Sequence, residues 1–302
     1  MSFFQNNYGE SIALMTALCW SFTALFFESA GKRIGSLSLN LIRLLIAFIY
    51  LSIYTYFTRG LFFPVDAGIH QWGWLLFSGF IGFYLGDLFL FKGFITIGAR
   101  ISMLIYSLVP PMTAIIGWLI LGETLTGIDL LGMAITLLGV SLVILQKGDE
   151  SNKKLKLSRP LSGILFAFGG AVGQAFGLII SKFGMENYNA FAATQIRTIA
   201  GIVPFFLTIL ILGRIPKLKA AFINKEAMGR IFFGAFFGPF LGVSLSLIAI
   251  QHIATGVAST VMSIVPVLLI PLTIIFFKEK IKLIEVIGAL IAVSGVAILF
   301  LF

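Results

Sequence analysis

Asp87 offers the most chemistry in this chain, because it lies inside an apolar run long enough to cross a bilayer. A carboxylate in hydrocarbon is costly, so its presence there is by default a functional hypothesis. On a helix Asp87 shares a face with Tyr84 and Phe91 by i, i+3 and i+7 spacing. Such a group binds a cationic moiety or takes up a proton; the structural alternative is a buried hydrogen bond. Lys92, five residues further on, points about 140° away and is expected to snorkel to the interface. Arg43 and Arg197 open two other apolar runs. Each reads as an interhelical strut, with carboxylate binding left open.

Weaker candidates surround these charges. Trp20 and Gln174 occupy matched places in two apolar runs, and Tyr106 beside Ser107 has Ser263 opposite. Any one of them is more often core than ligand, and their concentration on repeat-equivalent helices is what favours contact. Pro110 and Pro266 are expected near the middle of their helices, where a lost backbone hydrogen bond bends the chain. That bend is either a packing kink or a shared moving part. Glu123 and Glu279 follow those helices and suit the dipole of the next helix N-terminus, while Thr126 and Asp129 form a capping pair. His70, His252 and the single Cys19 supply no metal-ligand spacing, and Ser244 with His252 is too weak a pair for nucleophilic catalysis. Neither a metal nor a cofactor is expected.

The elements that position these residues are written twice. Pro110, Glu123, Gly132 and Gly139 recur as Pro266, Glu279, Gly288 and Gly295 at one constant offset, which also joins Gly82 to Gly238 and Gly86 to Gly242. An upstream block from Gly9 to Ala47 matches Gly163 to Gly201 at a slightly smaller offset, with Arg43 on Arg197. Ten spans of about 20 residues are expected, at Glu10 to Ser29, Leu39 to Phe57, Trp72 to Lys92, Ile101 to Leu121, Ile128 to Gln146, Leu161 to Phe183, Ala190 to Leu212, Arg230 to Ile250, Val257 to Phe277 and Leu283 to Phe302. The reading is a single all-α polytopic membrane domain over 1–302, with repeat one at 9–146, a linker at 147–160 and repeat two at 161–302. Five helices per copy is odd, so the second copy enters the membrane upside down, the arrangement that places a site near the midplane. The third span departs from this symmetry: Asp87, Tyr84 and Phe91 face Val243, Phe240 and Leu247.

Composition sets the medium. Of 302 residues, 59% are hydrophobic and 11% charged, and a mean hydropathy of +1.06 is too apolar for a soluble globule. The net charge of +9 sits in short connections between apolar runs, which argues for topology control and against nucleic acid. The residues before Glu10 carry no Lys or Arg, so the first run is expected to be a retained helix. Lys32, Arg33, Arg100, the linker, the connection from Arg214 to Arg230 and that from Lys278 to Lys282 fall on one face; Arg59 and Lys182 fall on the other. The excess of positive charge then places the linker in the cytoplasm and both termini outside.

The ordered motifs resemble the EamA family of the drug/metabolite transporter superfamily. They are Cys19-Trp20-Ser21, Arg43 and Arg197, then Pro110, Leu121-Gly122-Glu123-Thr124-Leu125, Leu131-Gly132 and Leu138-Gly139-Val140. The second half carries Pro266, Lys278-Glu279-Lys280-Ile281, Ile287-Gly288 and Ser294-Gly295-Val296. The resemblance implies a ten-helix basket in a bacterial inner membrane, its cavity lined by the first, third, fourth, sixth, eighth and ninth helices. It also implies export of amino acids or related small metabolites. Gln174 in place of a second Trp, and Lys278 in place of Gly, depart from the pattern, and the first helix lacks the membrane carboxylate of the small multidrug resistance relatives. Expected substrate contacts are Trp20, Tyr84, Asp87, Phe91, Tyr106, Gln174 and Ser263, with Asp87 also the coupling candidate. Arg43, Arg197, Pro110, Pro266, Glu123 and Glu279 are expected in structural or conformational roles. Alternating access by a monomer is the leading reading, with a small molecule and the lipid bilayer as its partners. Nucleotide-sugar or phosphometabolite exchange ranks lower, because the cavity helices offer few basic residues. A non-transporting sensor or scaffold would usually carry a soluble output domain.

Overall fold

The computed structural model of the protein describes residues 7–97, 102, 105–146, 160–277 and 283–301. Among the described residues every regular element is helical, as hydrocarbon demands of a chain that must satisfy its backbone internally. The elements are α1 (Tyr8–Ile34), α2 (Ser36–Arg59), α3 (Ile69–Gly79), a π-helical turn π1 (Phe80–Gly86), α4 (Asp87–Ile97), α5 (Val109–Leu121) and α6 (Gly127–Gln146). After the linker come α7 (Leu161–Met185), α8 (Ala190–Ile211), α9 (Ile215–Ile223), α10 (Lys225–Ala235), π2 (Phe236–Gly242), α11 (Val243–His252), α12 (Thr255–Met262), α13 (Val265–Phe277) and α14 (Leu283–Leu301). Each π turn fuses its flanking helices into one rod, and π1 and π2 occupy positions related by the offset that relates Pro110 to Pro266.

Among the described residues seven helices are long and apolar enough to cross a membrane, while Val109–Leu121, Gly127–Leu142 and Val286–Leu299 are shorter apolar helices. Of the ten full spans expected from the sequence, seven thus have helices of spanning length among the described residues. The fourth expected span is interrupted by a turn at Ser107 and Leu108, and the ninth by one at Ser263 and Ile264. Pro110 and Pro266 consequently hold the second position of α5 and α13 instead of a mid-helix kink. A proline there loses nothing, since the first helical N–H groups have no intrahelical acceptor. The prolines inside helical segments are Pro204 in α8, Pro239 in π2 and Pro271 in α13. Between the seventh and eighth expected spans the chain forms α9, and the eighth rod begins at Lys225.

The ends are fixed by local chemistry. Gly35, at φ 80°, joins α1 to α2 through a single residue, a conformation that side chains rarely adopt. Thr126 and Asp129 close the expected box at the start of α6: Thr126 N–H donates to Asp129 Oδ2 at 2.8 Å, and Asp129 N–H to Thr126 Oγ1 at 3.1 Å.

The two halves interlock. α1 packs chiefly against α10, π2, α11, α12 and α13 of the second half, whereas α7 packs against α3, π1, α4 and α5 of the first. α6 and α14 run against each other at glycines: a Cβ on Gly139 would lie 2.2 Å from Ala292 N. On one face the start of α1 meets the end of α11 through the Tyr8 and His252 rings at 4.9 Å. Arg59 pairs with Asp66 there, and Tyr188 donates to Asp66 at 2.9 Å. On the opposite face Arg33, at the end of α1, pairs with Glu226 at the start of α10 at 2.8 Å.

Candidate functional site

The polar centre of the molecule is built on π1 and α4. Arg43 of α2 forms an ion pair with Asp87, the first residue of α4, and its Nε donates to Asn40 Oδ1 at 2.8 Å. The guanidinium carbon of Arg43 lies 5.7 Å from the ring centroids of both Phe27 and Phe91. The side chains of Arg43 and Asp87 are 8% and 17% exposed, so the pair is largely removed from solvent. Such a pair persists only when its remaining donors and acceptors are met. Asn40, fully buried three residues before Arg43, meets one of them.

Arg197 approaches the same rod from α8. Helix α8 comes close because Gly79 has no side chain: a Cβ there would lie 2.4 Å from Arg197 O. One turn on, Gly82 leaves room for the Arg197 guanidinium, whose Nη2 would lie 3.2 Å from an added Cβ. The cation rests on the Phe83 ring, 4.8 Å from its centroid, and Arg197 is 2% exposed. Asp87 is within electrostatic reach of Arg197, and Tyr106 is within reach of Asp87 and Arg43. Both repeat-related arginines thus turn toward the third rod, and a single carboxylate stands near two guanidinium groups.

The helical face expected to carry Tyr84, Asp87 and Phe91 is divided. Phe91 stays with Asp87 through Arg43, but the Tyr84 hydroxyl lies 2.7 Å from Thr208 Oγ1 of α8 and its ring meets Phe205 edge to face. Tyr84 lies within π1, whose i→i+5 bonding gives it an angular register to Asp87 other than that of an α-helix, while Tyr84 and Phe91 still pack against one hydrophobic cluster. Tyr106 packs with Val109, Ala171 and Ala175. Trp20 presses its indole edge on Gly242 of π2, and in the other half Gly86 of π1 meets the backbone at Gln174. Ser263 donates to Thr260 O at 2.8 Å in the turn before α13. Ser244 donates to Thr194 Oγ1 at 3.2 Å while His252 contacts Ile248 O, so these two residues have separate partners.

Glu123 has a larger task than the dipole of the helix that follows it. It lies just beyond α5 and crosses to the other half: Thr255 N–H and Oγ1–H donate to its Oε2 at 2.8 and 2.6 Å, capping α12. Lys182 of α7 pairs with Glu123 Oε1 at 2.7 Å and donates to Ile253 O at 2.8 Å. Just inside this clasp Thr113 Oγ1 and Ser259 Oγ lie 2.5 Å apart, joining α5 to α12. The corresponding Glu279 lies outside the described residues. Sequence reading uses Lys182 only for orientation and passes over Asn40 and Phe83; for Asn40 the i, i+3 spacing to Arg43 is an available signal.

A groove of about 660 Å³ runs between the third rod and α7, lined by residues such as Trp74, Phe77, Phe89, Val172 and Phe176. It carries no charged group and is distinct from the arginine cluster. Among the described residues no group of His, Cys, Asp and Glu could hold a metal ion.

Comparison with known proteins agrees with this architecture. The profile of the EamA-like transporter family matches the chain twice, over residues 7–145 and 161–301. A Clostridium kluyveri protein described as an uncharacterized transporter is 29% identical over 178 residues, covering 59% of this chain and 56% of its own length. An uncharacterized transporter of Bacillus subtilis is 29% identical over 220 residues, covering 72% of this chain and 70% of that protein. The chain thus spans little more than half of the clostridial relative. A crystal structure with 16% sequence identity superposes with a TM-score of 0.76 over 97% of this chain and 96% of that one, a likeness of fold. With its profile matched once in each half, and with apolar helices long enough to make it an integral membrane protein, this chain belongs to the EamA-like transporter family.

Proposed function

We propose that the protein is a secondary-active carrier that exports small metabolites, amino acids or related compounds, by alternating access. One observation carries the reading: within a transporter-family chain, buried charges from α2, α4 and α8 converge on one rod. Charge held in hydrocarbon marks a solute or ion pathway more readily than a packing device. In this reading ten helices cross the membrane as two halves of opposite orientation. Both termini lie outside a bacterial cytoplasmic membrane, and the 147–160 linker lies within the cell. The carrier works as a monomer, because the interlocked halves already supply the antiparallel pairing. The Glu123, Lys182 and Thr255 clasp closes the outer face, and Asp87 is the group that exchanges a proton or cation.

Counterflow tests the proposal. Proteoliposomes loaded with an unlabelled amino-acid mixture are expected to accumulate at least one labelled amino acid above protein-free vesicles. Absence of exchange across amino acids and related metabolites would defeat the substrate assignment.

A further inference from the structure

Arg197 stands in an unusual position for a buried cation. Among the described residues no hydrogen-bond acceptor meets its guanidinium, and its Nε is buried without a partner. Its repeat mate Arg43 has Asp87 and Asn40, whereas the position matching Asp87 in the second half is Val243. Arg43 and Asp87 neutralise each other, so the charge on Arg197 is the surplus of the cluster. A guanidinium without an acceptor and only 2% exposed is strongly unfavourable, and one monoanion would balance it. Phe83 covers one face of the group, which leaves the in-plane N–H donors as its means of recognition. That planar fork matches a carboxylate. Gly82 lets Nη2 approach π1 closely, at a distance of 3.2 Å from an added Cβ, so a side chain there would crowd the group.

We propose that Arg197 is the docking point for the carboxylate of the transported solute, with the Phe83 ring beneath the guanidinium and Gly82 permitting its close seat on π1. The inference rests on the carrier reading and adds the group of the substrate that the protein holds. Charge balance favours a monoanionic carboxylate over a phosphate monoester, which would bring a second negative charge.

The test is thermal unfolding of the purified protein with acid and amide pairs. The probes are L-phenylalanine with L-phenylalaninamide, L-leucine with L-leucinamide, and benzoate with benzamide; inorganic phosphate and sodium chloride serve at matched ionic strength. At least one acid is expected to raise the midpoint saturably while its amide and the salts do not. Arg197→Lys is expected to weaken that response about tenfold, as a point charge replaces a fork, and Arg197→Gln to abolish it. Without ligand, Arg197→Gln is expected to be at least as stable as wild type, because no hydrogen bond is lost; a structural strut would unfold earlier. Gly82→Ala, which crowds Nη2 while retaining the charge, is expected to weaken the acid response with the fold intact. Equal response to acid and amide, no response to any acid, a stronger response to phosphate, or an unchanged response in Arg197→Gln would each overturn the proposal. Counterflow separates the two readings: exchange that survives in Arg197→Gln removes the docking role alone, whereas acid binding without exchange removes the carrier alone.

Discussion

Arg43 and Asp87 illustrate how much a single buried pair can decide. Each was conspicuous in the sequence as a charge in an apolar run, yet their partnership spans 44 positions and two helices. No local periodicity encodes such a contact. Removing one partner leaves the other charge stranded, so Arg43→Met and Asp87→Leu are each expected to cost about 3–5 kcal/mol. The double variant is expected to lose much less than the sum, read as unfolding midpoints in detergent. Additive losses would show that the two side chains act independently. Asp87→Asn tests the coupling role separately: if it binds solute at every pH as wild type does, Asp87 only anchors Arg43. Tyr84 shows the other limit of sequence reading. Its chemistry was legible, but its direction depends on a π turn that amino-acid pattern does not announce.

At the scale of elements, the duplication was the most legible feature, because equal spacing of Pro, Glu and Gly survives without knowledge of any contact. Helix ends were also legible where a side chain caps its own helix, as at Thr126 and Asp129. Glu123 was not, since the helix it caps begins at Thr255, far along the chain. Glu123→Ala is expected to release that N-terminus at a cost of about 0.5–2 kcal/mol. Amide exchange in the first turn of α12 should rise while that of α6 stays unchanged; faster exchange in α6 alone would return Glu123 to a local role. Glycine contacts are stricter. Gly139→Leu is expected to force α6 from α14, because even a methyl would collide with the Ala292 backbone. The loss should appear as a lower midpoint than that of Leu138→Ala, a change at an exposed neighbour.

The whole molecule has two faces that can be addressed independently. Ile69 is 94% exposed at the start of α3, and Ile223 is 78% exposed at the end of α9. In a Cys19→Ser background, a membrane-impermeant maleimide should label Ile69→Cys in intact cells, and Ile223→Cys only after permeabilisation. Labelling of both from outside would contradict the fold, while the reverse pattern would overturn only the orientation. The interlocking of halves reaches further, into the order of synthesis. Helix α1 is made before the surfaces that receive it, which lie mainly in residues 225–277, so it must wait in the bilayer until those residues have been translated. Hydroxyls along it satisfy themselves meanwhile on their own helix, as Ser21 does on Ala17 O at 2.8 Å and Thr23 on Cys19 O at 2.9 Å. A ribosome stalled after residue 160 would therefore leave behind a half-product without the greater part of its packing, recognisable to membrane quality control as an orphan.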